Sequence, residues 1–242
     1  MENNNIEKVR HSLSHLMTMA VLELFPKAGL GVGPTIENGF YQDYDTKKPI
    51  TPDMLVKIAA RMRELIKEDI KFEQHDMTFA KALAFYKKDK YKTELIKDLK
   101  KQGEKKVSFY KSGDFENLCL GPHVKSAKEI NPNAFKLVKI AGAYWKGNEK
   151  NKMLTRIYGV AFQTEKELQD YLKMMEEAEK RDHRVLGEKL KLFAFSDLVG
   201  PGLPLWLPNG AVIIDELENL AKEAETRAGY LRVKTPHIAK ES

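Results

Sequence analysis

The stretch Leu118-Cys119-Leu120-Gly121-Pro122-His123-Val124 is the part of the sequence around which we expect the rest of the fold to be organised. It holds the single cysteine of the chain and one of its six histidines, and the Gly-Pro step between them excludes a regular helix. His11 and His15 have the same four-residue spacing in a segment that predicts a helix, so both imidazoles should project from one face. We therefore expect the fold to bring these four side chains into one cleft.

The composition is that of an ordinary globular protein of one large domain or two smaller ones. The chain has 242 residues, of which 42% are hydrophobic and 31% are charged, enough to bury a core. A single cysteine excludes an internal disulfide, and no window approaches the roughly 18 apolar residues of a membrane span. The polar first residues lack the plan of a signal peptide, so we expect a cytoplasmic protein that does not associate with membranes.

The charge is positive and unevenly distributed. The net charge is +6 with a pI near 9.1, which suggests a polyanionic partner. Residues 87–106 hold nine lysines and four acidic residues. The alternative interpretation of this stretch is a solvated helical face without a nucleic-acid partner.

The hydrophobic pattern predicts an α+β fold. Helix patterns cover residues 7–25, with a core stripe of Leu13, Leu16, Met17, Ala20 and Leu24, and residues 52–69, where Thr51 should cap the helix and Pro52 should open it. Glu37-Asn38-Gly39 between two extended runs predicts a hairpin. A strand at 72–77 and helices at 79–88 and 91–102 predict an α/β insertion, and strands at 106–110, 135–140 and 153–162 predict a mixed or antiparallel sheet.

The remaining sequence predicts a connection and the beginning of a second body. Thr164 to Glu167 form a capping-box pattern, and the helix that it starts should run to about residue 192, roughly 40 Å long. A helix at 211–227 and a strand at 230–235 follow. About fifty residues with one long helix cannot enclose a core of their own, so Leu203, Leu205 and Trp206 should be exposed.

The residue types of the two pairs allow three interpretations. Three histidines and a cysteine match the ligand set of a tetrahedral zinc site. Histidines with an ordinary pKa near 6.5 can instead position or deprotonate a water for hydrolysis without a metal. Separately satisfied histidines and a buried thiol without a shared site are the third interpretation.

Several motifs, in order and in spacing, resemble the editing domain of bacterial threonyl-tRNA synthetases. They are His11-Ser12-Leu13-Ser14-His15, Gly33 to Tyr41, Cys119 to Val124, Lys139 to Trp145, Asn151 to Leu154 and Arg156 to Gly159. The match continues through Asp182-His183-Arg184 and Pro201-Gly202-Leu203 to Pro236, which resemble the entry to a class II catalytic domain. The resemblance implies an editing domain at 1–163, a linker helix at 164–192, and at 193–242 a truncated catalytic domain that includes motif 1 and lacks motifs 2 and 3.

The resemblance also implies a function. The family ligates threonine to tRNA(Thr) with ATP, and a missing methyl is worth only ~1 to 3 kcal/mol of discrimination against serine. Its editing domain therefore hydrolyses mischarged seryl-tRNA(Thr), and the catalytic residues carried over by position are His11, His15, Lys92, Cys119 and His123. Tyr41 and Asn117 carry over as substrate-binding positions, although Asn117 stands where the family commonly has an aspartate, and an amide lacks the charge.

The cofactors and partners that the resemblance implies follow from these roles. We expect no catalytic metal for editing; if zinc is bound, its ligands are His11, His15, Cys119 and His123. ATP, magnesium and zinc would serve the parent synthetase at sites outside this chain. The partners would be the acceptor end of tRNA(Thr) and, through motif 1, a second copy in a homodimer. The alternatives are a tRNA-docking module without editing activity and a zinc-dependent hydrolase.

Overall fold

The computed structural model describes residues 3–200, 202–236 and 238, and the chain divides into two compact units, residues 1–171 and 172–242. Pro201 and the end of the predicted catalytic-domain fragment lie outside the described residues. The helices are α1 (Asn3–Leu24), α2 (Pro52–Lys67), α3 (Phe79–Phe85), α4 (Lys90–Lys101), α5 (Glu165–Lys180), α6 (His183–Lys189) and α7 (Pro208–Arg227). None of these described helices is both long and apolar enough to traverse a bilayer.

The strands form antiparallel sheets only, in the part of the chain that the structure describes. They are β1 (Gly29–Leu30), β2 (Thr35–Ile36), β3 (Gly39–Asp45), β4 (Phe72–Met77), β5 (Val107–Ser112), β6 (Phe115–Leu118), β7 (Phe135–Tyr144), β8 (Met153–Ala161), β9 (Phe193–Ala194) and β10 (Leu205–Trp206). The predicted α+β class, with antiparallel sheets and an inserted α/β part, is confirmed.

The main core of the first unit lies between α1, α2 and the five-stranded sheet, whose order is β1-β3-β8-β7 with β2 paired to β3. Leu13, Leu16, Met17 and Ala20 are buried as the helical period predicts. Leu24, at the end of the same stripe, is 47% exposed, so the buried stripe is shorter than predicted. Thr51 precedes α2, and Pro52 opens it, but the Thr51 side chain makes no capping hydrogen bond.

Gly39 is required for a reason other than turn conformation. Glu37 and Asn38 form the predicted turn, and Gly39 is the first residue of β3, paired with Ile36 and Val160. A Cβ on Gly39 would overlap the carbonyl oxygen of Gly159 on β8. The residue therefore permits a close approach of two strands.

The inserted part consists of the sheet β4-β5-β6 with α3 and α4 on one face. Val107 and Phe109 of β5 pack there against Ala82, Tyr86 and Ile96. Because side chains alternate along a strand, Ser112 and Tyr110 of β5 point to the opposite face. That second face meets α1.

The connection that sequence predicts as one helix is two helices. The α5 helix begins with the predicted capping box, in which Glu167 accepts from the Thr164 N–H at 3.0 Å and donates its own N–H to Thr164 Oγ1 at 3.2 Å. It ends at Lys180, and α6 begins at His183 with Asp182 as its cap, accepting from the Arg184 N–H at 2.8 Å. A second N-cap therefore restarts the helix, and the predicted 40 Å rod is wrong.

Among the described residues of the second unit, no large hydrophobic side chain is buried. Leu203, Leu205 and Trp206 are exposed, as predicted. The strand predicted at 230–235 is absent, since none of the described residues pairs with it. An extended segment is a strand only when its backbone groups find a partner.

Candidate functional site

The structure brings the two predicted pairs together, and we call His11, His15, Cys119 and His123 the four-residue cluster. The histidines of α1 meet the loop after β6, and the ligand atoms of all four side chains lie within 4.8 Å of one another. Cys119 is central, because its Sγ is 3.2 Å from His11 Nε2 and 3.2 Å from His123 Nε2. The Gly121 N–H also donates to this sulfur at 3.4 Å.

The outer nitrogen of each imidazole has an oxygen partner. Ser12 Oγ lies 3.1 Å from His123 Nδ1, Ser112 Oγ lies 3.3 Å from His15 Nδ1, and His11 hydrogen-bonds to the backbone of Pro122. These partners fix the ring directions, in the way that outer oxygens orient histidines in metal and catalytic sites.

Ser12 links α1 to the loop that carries the cysteine. Its Oγ accepts from the Val124 N–H at 3.1 Å and lies 3.1 Å from His123 Nδ1. Nε2 of His123 and Nε2 of His11 each lie 3.2 Å from Cys119 Sγ. A continuous set of hydrogen-bonding contacts thus joins Ser12, His123, Cys119 and His11.

Aromatic rings hold the cluster from the sheet side. Phe72 stacks on His123 with ring centroids 5.3 Å apart, and Tyr110 lies 4.3 Å from the same ring. Phe115 packs edge-on against His15 at 5.7 Å. Gly121 has φ +72°, and a Cβ there would collide with the Tyr110 ring. The Gly-Pro turn is therefore seated on the sheet that carries the site.

Burial keeps the cluster uncharged. It lowers the pKa of His11 and lowers that of His15 well below the ordinary value, and it lowers the pKa of His123 to about 2, with the nearby His11 adding to the effect. It also raises the pKa of the Cys119 thiol to about 11. At neutral pH the site thus contains neutral imidazoles and a neutral thiol.

Lys92 supplies a positive charge beside these neutral groups. It lies on α4, is only 4% exposed, and interacts electrostatically with Cys119 and His15. Desolvation lowers its pKa to about 8, with Asp89 and Cys119 opposing the shift. Its backbone N–H donates to Asp89 Oδ1 at 3.1 Å. The other eight lysines of residues 87–106 are exposed.

Tyr41 and Asn117 occupy different environments. Tyr41 alternates with Phe40 along β3, and its ring contacts Arg156 at 3.8 Å and Tyr158 at 5.6 Å, with no ring contact to the described histidines of the cluster. Phe40 is buried in the core on the α1 side. The structure thus does not bring Tyr41 to the cluster, against the expectation from the resemblance.

Asn117 is buried at the edge strand β6, two positions before Cys119. Its Oδ1 accepts from the Tyr86 hydroxyl at 3.1 Å, and Tyr86 in turn accepts from the Leu118 N–H at 2.9 Å. The amide oxygen therefore fills a hydrogen-bonding role that needs no charge.

Sequence reasoning missed Ser12, Ser112, Tyr110 and Phe72. Ser108, Tyr110 and Ser112 are spaced two residues apart along β5, and this alternation could have predicted that Tyr110 and Ser112 share one face of the sheet. Ser12 has no such signal, since its partner His123 lies 111 positions away in the sequence.

Known proteins resemble this chain over nearly its whole length. Residues 107–158 match the family model described as the threonyl and alanyl tRNA synthetase second additional domain. A threonine–tRNA ligase of Borreliella burgdorferi is 49% identical over 233 residues, which are 96% of this chain and 40% of that protein. A threonine–tRNA ligase of a Geobacter species is 50% identical over 97% of this chain and 36% of that protein. The chain thus spans about 40% or less of these relatives.

Proposed function

We propose that this chain, which belongs to the threonine–tRNA ligase family, hydrolyses the ester bond of seryl-tRNA(Thr) at the four-residue cluster. The observation that supports this most is the convergence of the four ligand atoms within 4.8 Å of one another, with the buried Lys92 near enough to Cys119 and His15 to interact with them electrostatically. A ligase pocket for threonine rejects serine by only ~1 to 3 kcal/mol, so a second, hydrolytic site gives the family its accuracy.

In the proposed mechanism a neutral imidazole takes a proton from the attacking water and returns it to the ribose oxygen as the ester bond breaks. His11 is the least buried of the three histidines, and its Nε2 faces the sulfur and the cleft, so it is our choice of general base. The Lys92 ammonium stabilises the oxyanion that forms on the ester carbonyl. Cys119, with its raised pKa, contacts the water as a neutral thiol and is not a covalent nucleophile.

The site's donor set also fits zinc. The inner nitrogens and the sulfur converge, and each imidazole has an outer oxygen partner. If zinc were held by His11, His15, Cys119 and His123, it would supply Lewis acidity. Hydrogen-bonding contacts already join Ser12, His123, Cys119 and His11, and we propose metal-free hydrolysis. One equivalent of zinc in protein purified without a histidine tag, lost on Cys119→Ala, would favour the zinc-dependent alternative.

A tRNA-docking module without chemistry is the other alternative. It rests on Asn117, which lacks the charge that the family commonly has there. We propose that hydrogen bonding to Tyr86 is the role of this position, so that Asn117→Asp changes hydrolysis less than about threefold. A gain of a hundredfold or more in Asn117→Asp would mean that the chain as it stands only docks tRNA.

The proposed partner is the acceptor end of tRNA(Thr), attracted by the exposed lysines of residues 87–106, with affinity that falls as salt rises. ATP-dependent ligation of threonine, magnesium and zinc for that reaction, homodimerisation and a cytoplasmic location are proposals taken from the family.

The decisive experiment is a deacylation assay. Purified chain should hydrolyse seryl-tRNA(Thr) much faster than threonyl-tRNA(Thr), and His11→Ala or His123→Ala should reduce the rate at least a hundredfold. His183→Ala, at a side chain that is 84% exposed in the second unit, is the matched control and should keep full activity. Equal rates on both substrates, or unchanged rates in both cluster variants, would refute the proposal.

A further inference from the structure

The α4 helix, which carries Lys92, is fastened to the main sheet through the residue just before the lysine. The Tyr91 hydroxyl donates to Asp45 Oδ2 at 2.6 Å, and Asp45 is the last residue of β3. Consecutive side chains on a helix point about 100° apart, so Tyr91 reaches β3 while Lys92 stays beside the four-residue cluster. One helical turn therefore touches both the main sheet and the site.

Asp45 is a charged acceptor that is itself held in place. Its other oxygen accepts from Lys152 Nζ at 2.6 Å, and Lys90 Nζ lies 3.6 Å from the oxygen that Tyr91 uses. Burial alone would raise the pKa of Asp45, but the hydrogen bonds from Lys152 and Tyr91 hold it below its ordinary value. A hydroxyl that donates to an ionised carboxylate makes a shorter and stronger hydrogen bond than a neutral pair does. Because only 16% of the Asp45 side chain is exposed, water competes little for this bond.

The Tyr91 ring is enclosed by the main sheet and by the residues that follow β7. A Cβ on Gly29 of β1 would lie 2.9 Å from the ring, so the ring rests directly on the β1 backbone. Trp145 packs edge-on against it with ring centroids 4.9 Å apart, and Leu154 of β8 completes this small buried group. The ring is therefore fixed on several sides, and its hydroxyl is directed at Asp45.

Two further contacts keep α4 against the main sheet. Glu94, about one turn after Tyr91, accepts from Trp145 Nε1 at 2.8 Å. At the start of the helix, the Asp89 carboxylate accepts from the Tyr91 N–H at 2.9 Å and from the Leu30 N–H of β1 at 3.5 Å. These contacts orient the helix as a whole, whereas the Tyr91 hydroxyl fixes the turn that carries the lysine.

We propose that Tyr91 and Asp45 are positioning residues, whose hydrogen bond fixes the first turn of α4 to β3 and thereby holds the Lys92 ammonium at the four-residue cluster. The inference rests on the proposed function where it concerns catalysis, because Lys92 acts there on the oxyanion. A catalytic group that is displaced by about 1 Å loses much of its effect even when the substrate still binds. The pair should therefore act on kcat and leave KM unchanged. The resemblance assigns a role to Lys92 and none to Tyr91 or Asp45.

The kinetic test is a double-mutant cycle with Lys92. Tyr91→Phe should lower kcat for seryl-tRNA(Thr) about tenfold with KM within about twofold of wild type. In a Lys92→Met background the same substitution should change kcat by less than about twofold, because no ammonium is left to position. Asp45→Ala should behave like Tyr91→Phe, and Asp45→Asn, whose amide oxygen can still accept, should recover kcat to within about threefold of wild type.

Thr93→Val is the matched control for this cycle. It removes a hydroxyl hydrogen bond from the same helix, to the Tyr86 carbonyl at 2.8 Å, and leaves the link to β3 intact, so kcat should stay unchanged. Equal losses from Tyr91→Phe with and without Lys92 would overturn the proposal, since the pair would then act on the fold in general. A kcat that Tyr91→Phe leaves unchanged in the wild-type background would overturn it as well.

Lysine NMR of the full chain tests the positioning without any hydrolysis. The lysines are isotope-labelled at Cε, and the Lys92 signal is the one that is absent from Lys92→Met. Tyr91→Phe should move this signal, because the side chain shifts relative to the imidazole rings of the cluster, and Asp45→Ala, which leaves Tyr91 in place, should move it too. Thr93→Val should leave it where it is.

The NMR result separates the two proposals. A Lys92 signal that stays unmoved in either Tyr91→Phe or Asp45→Ala would overturn the positioning role, whether or not the chain hydrolyses seryl-tRNA(Thr). A signal that moves in both variants of a chain without hydrolysis would contradict the proposed function alone.

Discussion

Replacing Lys92 by methionine should make the protein more stable and less active. The Lys92 side chain is buried, and desolvation lowers its pKa to about 8 from the ordinary 10.5. A lysine whose pKa is lower in the folded state destabilises that state wherever the unfolded chain holds the proton. Methionine has a similar length and no charge, so it removes this cost while it keeps most of the packing.

The size and the pH range of the effect follow from the two pKa values. The gap of roughly 2.5 pH units corresponds to about 3 kcal/mol, at about 1.36 kcal/mol per unit. This destabilisation is fully present below about pH 8 and disappears as pH rises through the unfolded value near 10.5. The Lys92→Met variant should therefore exceed wild type by about 3 kcal/mol at pH 7 and by almost nothing at pH 11.

The assay is urea unfolding in a Trp206→Phe background, where the buried Trp145 alone reports on the first unit. Lys97→Met, at an exposed position of the same helix, is the control and should differ from wild type by under about 0.5 kcal/mol at both pH values. Seryl-tRNA(Thr) hydrolysis by Lys92→Met should fall at least about thirtyfold, since the oxyanion loses its charged partner.

The reasoning would be refuted if the stability difference between Lys92→Met and wild type did not change with pH, or if Lys92→Met were less stable than wild type at pH 7. Retained hydrolysis together with the expected stabilisation would refute only the catalytic role of Lys92.

Three further outcomes test the site and the fold. Cys119 should react with iodoacetamide about a hundredfold more slowly than a free cysteine at pH 7.5, because its pKa is about 11. Mass spectrometry with glutathione as the reference thiol measures the two rates, and equal rates would contradict a neutral Cys119 thiol. Ser12→Ala should lower kcat for seryl-tRNA about tenfold with KM unchanged, because Ser12 Oγ orients His123. Ser14→Ala, whose hydroxyl donates to the His11 carbonyl, should keep activity, and equal losses in both variants would contradict the orienting role of Ser12. Gly39→Ala should lower the free energy of unfolding in urea by at least about 3 kcal/mol, because the added methyl meets the Gly159 backbone. Gly142→Ala, where the added methyl meets the flexible Met153 side chain, should lower it by under about 1 kcal/mol. Similar losses in both variants would contradict the close approach of β3 and β8.

Much of the fold was predictable because local patterns and burial agree. The strand at 72–77 has the predicted bounds, and the core stripe of α1 is buried except for its last member, Leu24. The exposed lysines of 87–106 match a solvated face, with one exception. Lys92 is buried, and lysine content alone gives no signal that separates it from its neighbours. Only the resemblance singled it out.

The failures have local physical causes. The single helix predicted from residue 164 to about 192 is interrupted at Asp182. The Asp182 carboxylate accepts from the Arg184 N–H and so acts as the N-cap of a second helix. Tyr41 was expected beside the cluster, although the burial of Phe40 and Tyr44 and strand alternation put it on the other face of β3. The orienting hydroxyl of Ser12 depends on a contact across 111 positions, which no local pattern reports.

The four-residue cluster joins side chains that are 108 residues apart, from His11 to Cys119. His11 and His15 are synthesised early, before β4, β5 and the Gly-Pro turn. The two imidazoles can therefore contact their partners in these later segments only after those segments have been synthesised. The four-residue cluster therefore cannot assemble until the inserted sheet and the loop after β6 have been synthesised, although β7 and β8 of the main sheet are still to come.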